Sequence, residues 1–446
     1  MRKRCLLLSA LLTVALVLPD RAGAQEEGVE EKLSDSDRVH ALEERLTDLE
    51  QRLKQSDELK IRPRNWVNVN GYVDLGFFAP NGNGGVGYVQ DYGNAVLPRY
   101  AGKYGWVFLG DLLATPVNSR GEAADLGQNP GVNRFDSIHS RGAPGFIANE
   151  INLLITSALL DNLILSSSLN FTPRSGREFS LGDYFDADIA QMEWMPTRDQ
   201  KTSIFVGKMD SVLGIEYRER KSNQRFGITP SLVARYTTGN PIGIKVRSKL
   251  LKDDMLVLAA ALTNGSNGTE QFHFYNEIAT HAGKTLSGRI SLKPPLIPGL
   301  EMGLSGEYGA QDNVLSSAIP LWFWGIDAQY HVGNLALKAQ WLRGMGEGSA
   351  ADGVYGLHLN GGGYLEANQM LTPLFGVLAR VEYRNAFVWL ADERAYVTQL
   401  WRATAGVHAA FTDNIVLKAE YLHNQEFHGL PRFTDDIFTS SLVLSY

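Results

Sequence analysis

From Trp66 to Tyr446 the chain switches side-chain character at every second residue, segment after segment, and this limits the fold more than any other feature. Successive side chains of a strand point to opposite faces, so a period of two marks a pleated strand and rules out a helix. In the last ten residues, Phe438, Leu442, Leu444 and Tyr446 share one face, while Thr439, Ser441, Val443 and Ser445 share the other. Val67, Val69, Gly71, Val73, Leu75 and Phe77 stand opposite Asn68, Asn70 and Asp74. The alternation returns with Ile242, Ile244, Val246 and Leu250 against Lys245, Arg247 and Lys249, and with Trp322, Trp324, Ile326 and Tyr330 against Asp327 and Gln329. It recurs in Phe375, Val377, Ala379, Val381 and Tyr383 against Arg380, Glu382 and Arg384, and in Trp401, Ala403, Ala405 and Val407 against Arg402, Thr404 and His408. A soluble sandwich also alternates, but it does not set aromatics at the strand ends opposite its polar face, where a membrane girdle sits.

The connections sharpen this reading. Short turns are expected at 161–162, 196–201, 252–254, 293–299, 332–334, 371–373 and 412–414. Between them lie longer stretches at 79–145, 172–184, 210–240, 264–283, 310–320, 344–362, 386–395 and 426–436, many rich in Gly and Asn. Alternating short and long connections are those of a transmembrane barrel, with turns on the periplasmic side and loops outside. The predicted fold is all-β: a transmembrane antiparallel barrel of about sixteen strands over 65–446, preceded by a short helical coiled coil. This count puts Trp106 to Leu113 and Ser231 to Tyr236 in loops; as wall strands they would raise it to eighteen.

The first 62 residues differ in kind. Arg2, Lys3 and Arg4 precede an apolar run from Leu6 to Leu18, followed by Ala22-Gly23-Ala24. The pattern predicts a secretory signal peptide over 1–24, too short to span a bilayer as a helix. Its removal takes away Arg2, Lys3, Arg4 and Arg21 against Asp20, moving the formal net charge from -7 to -10, and it removes the single cysteine, Cys5. Residues 25–62 carry Val39, Leu42, Leu46, Leu49 and Leu53 at alternating spacings of three and four, a coiled-coil seam that Pro63 ends. Two heptads are too short to be stable alone, so they form either a solvated amphipathic helix or a periplasmic bundle of protomers, most naturally three. A mean hydropathy of -0.16 does not exclude a membrane protein, because alternating strands average out on any hydropathy scale.

Catalytic chemistry leaves little trace. The nine histidines show no metal-ligand spacing, and neither an HExxH helix nor a nucleophile elbow occurs. Asp183, Asp186 and Asp188 are hard oxygen donors that could hold calcium at the outer rim, although a solvated loop is the plainer reading. No enzyme activity, metal, cofactor or nucleic-acid partner is expected. The stretch 210–240 holds Glu216, Arg218, Glu219, Arg220, Lys221 and Arg225. A barrel of sixteen strands leaves an aqueous channel unless something narrows it; these charges fit a loop folded inward, and equally a solvated loop tip.

GYVDLGFF at 71–78 resembles the first strand of Gram-negative porins. VGKMDSVLGIEYRER at 206–220 is similar to a strand-into-loop stretch of the OmpL-like beta-barrel porins and, more loosely, of the phosphate-selective porins. The resemblance implies passive diffusion through a water-filled pore in the cell outer membrane, often as a homotrimer, amid lipid and lipopolysaccharide. The strand register puts Lys245, Arg247, Lys249, Arg289, Lys338, Arg380, Arg384, Arg402 and Lys418 in the lumen with Asp74, Glu150, Glu193, Glu307, Asp327, Glu382 and Glu420. So near a balance predicts a mild anion preference, with Lys245, Arg247, Lys249, Arg380, Glu382, Arg384 and Arg402 as selectivity candidates and Glu216, Arg218, Arg220, Lys221 and Arg225 as constriction candidates. The alternative is a structural barrel tethered to peptidoglycan through residues 25–62, with the amino-terminal segment and the carboxyl terminus periplasmic in either case.

Overall fold

The computed structural model describes residues 66–81, 86–91, 100–101, 104–108, 127–128, 135–136, 144–171, 185–268, 282–311, 319–350, 353–390, 393–426 and 436–446. The expected signal peptide and coiled coil lie outside the described residues. Sixteen antiparallel strands close into one barrel. The first four are β1 (Trp66–Asn81), β2 (Gly145–Leu160), β3 (Leu163–Phe171) and β4 (Phe185–Trp194). Next come β5 (Thr202–Lys208), β6 (Ile242–Leu250), β7 (Leu256–Thr263) and β8 (Thr285–Leu292). Then follow β9 (Leu300–Gln311), β10 (Ile319–Val332), β11 (Leu335–Ala350) and β12 (Gly353–Met370). The last are β13 (Phe375–Leu390), β14 (Glu393–Thr412), β15 (Ile415–Glu426) and β16 (Asp436–Ser445).

Closure joins β1 to both β16 and β2, with Leu75 opposite Leu442 on one side and Gly71 opposite Leu153 on the other. The seam is finished by the terminal residue. Gly71 N–H donates to the Tyr446 carbonyl at 3.2 Å, and Tyr446 N–H donates back at 3.0 Å. A Cβ on Gly71 would overlap the Asn152 carbonyl and the Tyr446 ring, so the last aromatic can lie against β1 only because residue 71 is glycine.

Of the two segments that could have made eighteen strands, the described residues are not wall. Tyr104–Phe108 pairs with Val86–Asp91 in a separate small sheet, and Ala234–Tyr236 is a short 3-10 turn. Two expected loops are instead mostly strand. β11 continues to Ala350 and β12 begins at Gly353, while β13 and β14 fill most of 386–395. The glycines read as loop residues are packing residues: a Cβ at Gly344 would overlap the Phe323 ring, and at Gly361 it would meet Trp341. Register shifts at Leu342/Gly344 and Leu359/Gly361 mark the same places as bulges.

The barrel is apolar outside. Ile244, Ile290, Leu304, Ile326, Val381 and Val407 are each at least half exposed on its outer face, as are many neighbours. A belt of this extent far exceeds the few hundred Å² of contiguous apolar surface on a soluble monomer. Inside, many of the alternate residues are polar or charged, and residues 209–241, joining β5 to β6, fold into the lumen.

Candidate functional site: the lumen and its inward loop

Loop 209–241 has no regular ladder of its own, apart from the 3-10 turns Glu216–Glu219 and Ala234–Tyr236. Buried irregular backbone must still satisfy its N–H and C=O groups, or each costs a lost hydrogen bond. Here the wall supplies the partners. Gly214 N–H donates to Ser305 Oγ on β9 at 3.0 Å, and Ile215 N–H to Gln340 Oε1 on β11 at 3.1 Å. The Gly214 carbonyl accepts from Arg289 Nη1 on β8 at 2.8 Å. Gly207 and Gly214, the two glycines of the stretch that carries the porin resemblance, have φ of 123° and 70°. Backbone with positive φ is nearly free only to glycine; Gly207 holds it while still paired with Gly243 near the end of β5, and Gly214 holds it within the loop.

The return half of the loop is capped by charge. Glu420 on β15 accepts from Ile228 N–H at 2.6 Å and from Thr229 N–H at 3.0 Å. Its neighbour Lys418 donates to the carbonyls of Ser222 at 2.6 Å, Gly227 at 3.1 Å and Arg225. On β13, Glu382 accepts from Leu232 N–H at 2.8 Å. Arg380 donates to the Thr229 carbonyl at 2.8 Å and the Pro230 carbonyl at 3.2 Å, while facing Glu366 and Glu382 at 3.2 Å each. Arg384 donates to the Tyr236 hydroxyl at 2.8 Å. Arg402 meets Asn424 Oδ1 at 2.9 Å and lies 3.8 Å from Glu382. These four of the selectivity candidates (Arg380, Glu382, Arg384 and Arg402) thus stand on the inner face, all but fully buried.

Lys245, Arg247 and Lys249 also point inward, to different ends. Lys245 is buried and donates to the Asp210 carbonyl at 2.8 Å, with the Phe205 ring 4.8 Å away. Arg247 and Lys249 each keep 44% of the side chain exposed, Arg247 lying 3.5 Å from Glu193 and Lys249 3.3 Å from Asp254. Both lie in the second half of β6, toward the turn Lys252–Asp254. The constriction candidates are all brought into the barrel. Glu216 accepts from Ser231 N–H at 2.7 Å, Arg218 pairs with Glu301 at 2.8 Å, and Arg225 ties the loop to itself through the carbonyls of Ile228 and Arg220 at 2.6 Å each. Arg220 and Lys221 both face Asp188 on β4, so this carboxylate, weighed in the sequence as a calcium donor, is engaged by two cations.

Sequence reasoning missed two things. Glu366, which pairs with both Arg380 and Lys338, alternates with Leu365 and Ala367 as any strand residue would; closing the expected loop at 362 left it without a role. The second is an apolar layer inside the lumen. Leu321, Phe323, Leu342 and Leu359 are buried with Val233 and Tyr236 of the loop, the Tyr236 and Phe323 ring centroids 5.5 Å apart. Burying each such side chain stabilises by about 1.5–3 kcal/mol, so the loop is packed like a small core as well as hydrogen-bonded.

No family model matches the sequence, and no curated protein matches it. Solved structures match in fold. The outer membrane channel DcaP of Acinetobacter baumannii is 10% identical with a TM-score of 0.51, over 86% of this chain and 98% of that one. OmpF of Salmonella typhi, solved with daunomycin, gives the same identity, TM-score and coverage. At this identity the likeness is one of fold alone. Neither match bears on the narrower resemblance to the OmpL-like or phosphate-selective porins.

Proposed function

We propose that the chain is an outer-membrane porin, a passive channel for small hydrophilic solutes or ions, with its short turns in the periplasm and its long loops outside. The observation that carries this reading is the inversion of the barrel: apolar outward, charged inward, with an inward loop pinned across the lumen by residues of the wall. A protein that only tethered the membrane would need neither a polar lumen nor a loop fixed inside it. Lipid and lipopolysaccharide meet the outer belt, and a homotrimer is the assembly we favour. The test is single-channel recording of the purified full-length protein in a planar bilayer. Stepwise currents are expected, grouped in threes for a trimer; a folded barrel that never conducts would overturn the channel reading.

Ion preference follows from which charges remain hydrated. Many of the other lumen charges face an opposite charge across the wall or the loop. Arg247 and Lys249 are paired with Glu193 and Asp254, but each keeps 44% of its side chain exposed against 21% and 34% for the carboxylates, so the hydrated surface there is weighted toward positive charge, which biases permeation. A mild anion preference is therefore expected. Arg247→Gln with Lys249→Gln should move the reversal potential toward the cation side in a salt gradient. Adding Lys245→Gln should add little to that shift, because Lys245 is bound to the loop. An unchanged potential in the double variant would remove both residues from the filter.

A further inference from the structure

The loop is held differently on its two sides. Toward β8–β15 it is joined through the backbone N–H groups of Gly214, Ile215, Ile228, Thr229 and Leu232 and through the apolar layer. Toward β1–β4 its contacts include those of three consecutive residues, Arg220, Lys221 and Ser222.

On that side the wall holds its acceptors in place by itself. Asn152 Nδ2 on β2 donates to Ser168 Oγ at 2.9 Å and to Asn170 Oδ1, both on β3. Asn170 Nδ2 in turn donates to Asp188 Oδ2 on β4. Every one of these bonds runs from wall to wall, so the amide oxygen and the carboxylate oxygen stay aligned whether or not the loop is present. Both accept from a single nitrogen, Lys221 Nζ, which lies 3.0 Å from Asn170 Oδ1 and also donates to Asp188 Oδ2. An ammonium carries three rotatable N–H donors on a compact charge, and this pair of acceptors suits it. The other Asp188 oxygen faces Arg220 Nη1 at 3.3 Å.

We propose that Asn170 and Asp188, backed by Asn152, form a primary-ammonium site that Lys221 fills from within the chain, and that amine-bearing solutes compete with Lys221 for it as they pass the loop. The proposal rests on the reading of the barrel as a channel. An incoming primary amine remakes the bonds to Asn170 and Asp188 that Lys221 gives up. A quaternary ammonium of equal charge has no N–H to offer. Sites built on hydrogen bonds reject such analogues far more strongly than sites built on shape. A tethered occupant acts at an effective concentration on the order of millimolar, so its removal should expose the site to free amines.

The experiment compares the wild-type protein, Lys221→Met and Lys221→Met with Asp188→Asn. Lys221→Met keeps the aliphatic stem and leaves Arg220 on Asp188; Lys221→Gln serves as a second variant if heat-modifiable mobility shows the first misfolded. Calorimetric titration with propylammonium chloride should show binding to Lys221→Met at least about tenfold tighter than to wild type. The double variant should bind none, and tetramethylammonium chloride should bind to none of the three. Equal affinity in wild type and Lys221→Met, or equal binding of the two cations, would overturn the site. In bilayers, propylammonium should interrupt the Lys221→Met current for longer than that of the double variant. Binding as expected without current from any protein would leave the site and sink the channel reading. Normal currents with no difference in binding would do the reverse.

Discussion

Arg380→Met is expected to destabilise the barrel by about 3–5 kcal/mol, the cost of removing one partner from a buried ion pair and leaving the other charge uncompensated. Few positions concentrate so much. The Arg380 guanidinium faces two carboxylates, Glu366 on β12 and Glu382 on its own strand, and also caps the Thr229 and Pro230 carbonyls of the loop. Methionine keeps much of the stem volume, so the loss isolates charge and hydrogen bonding from packing. The measurement is the urea midpoint of the refolded protein in detergent or lipid, followed by tryptophan fluorescence. Adding Glu382→Gln should recover part of the loss, because one orphaned carboxylate becomes neutral. A single variant with an unchanged midpoint would show the pairs to be hydrated and weak.

Much of this architecture was legible in the sequence, and the reasons are physical. Period-two alternation is a local property, so the faces of β6, β13 and β14 could be assigned without knowing their partners. Alternation groups Lys245 with Arg247 and Lys249, and Arg380 with Glu382 and Arg384, on single faces, and in the structure Lys245, Arg380, Glu382, Arg384 and Arg402 are buried. The charged stretch 216–225 could be read as an inward loop or as a solvated loop tip, and its side chains meet wall residues such as Glu301 and Asp188. The role of those charges was not legible. Whether an inner-face arginine is a bare filter or a cap on loop backbone depends on contacts between residues about 150 apart, such as Arg380 with Thr229. The glycines misled for a related reason: at Gly344 and Gly361 it is an aromatic ring on a neighbouring strand, not a turn, that excludes a side chain. Local pattern fixes which way a residue points; it does not say what waits there.

The second large effect expected is on conductance, from replacing residues 211–239 by a short Gly-Ser linker between β5 and β6. With strands about 4.8 Å apart and tilted roughly 40°, sixteen of them close at a backbone radius on the order of 16 Å. Inward side chains reduce this to a lumen of roughly 11 Å radius, whereas the native loop meets wall residues on β1, β4, β9, β11, β13 and β15. Clearing the loop should raise single-channel conductance about threefold or more, since current scales with the open cross-section at the narrowest point. The same deletion strips Glu420, Lys418, Glu382 and Arg380 of their backbone partners. Those charges face water rather than lipid once the loop is gone, so solvent replaces the lost bonds and the barrel should still assemble. Ion preference should then depend on the whole ring of newly hydrated charges, and Arg247 and Lys249 should lose their weight in the reversal potential. A deletion variant that folds and conducts no better than wild type would place the constriction elsewhere than loop 209–241.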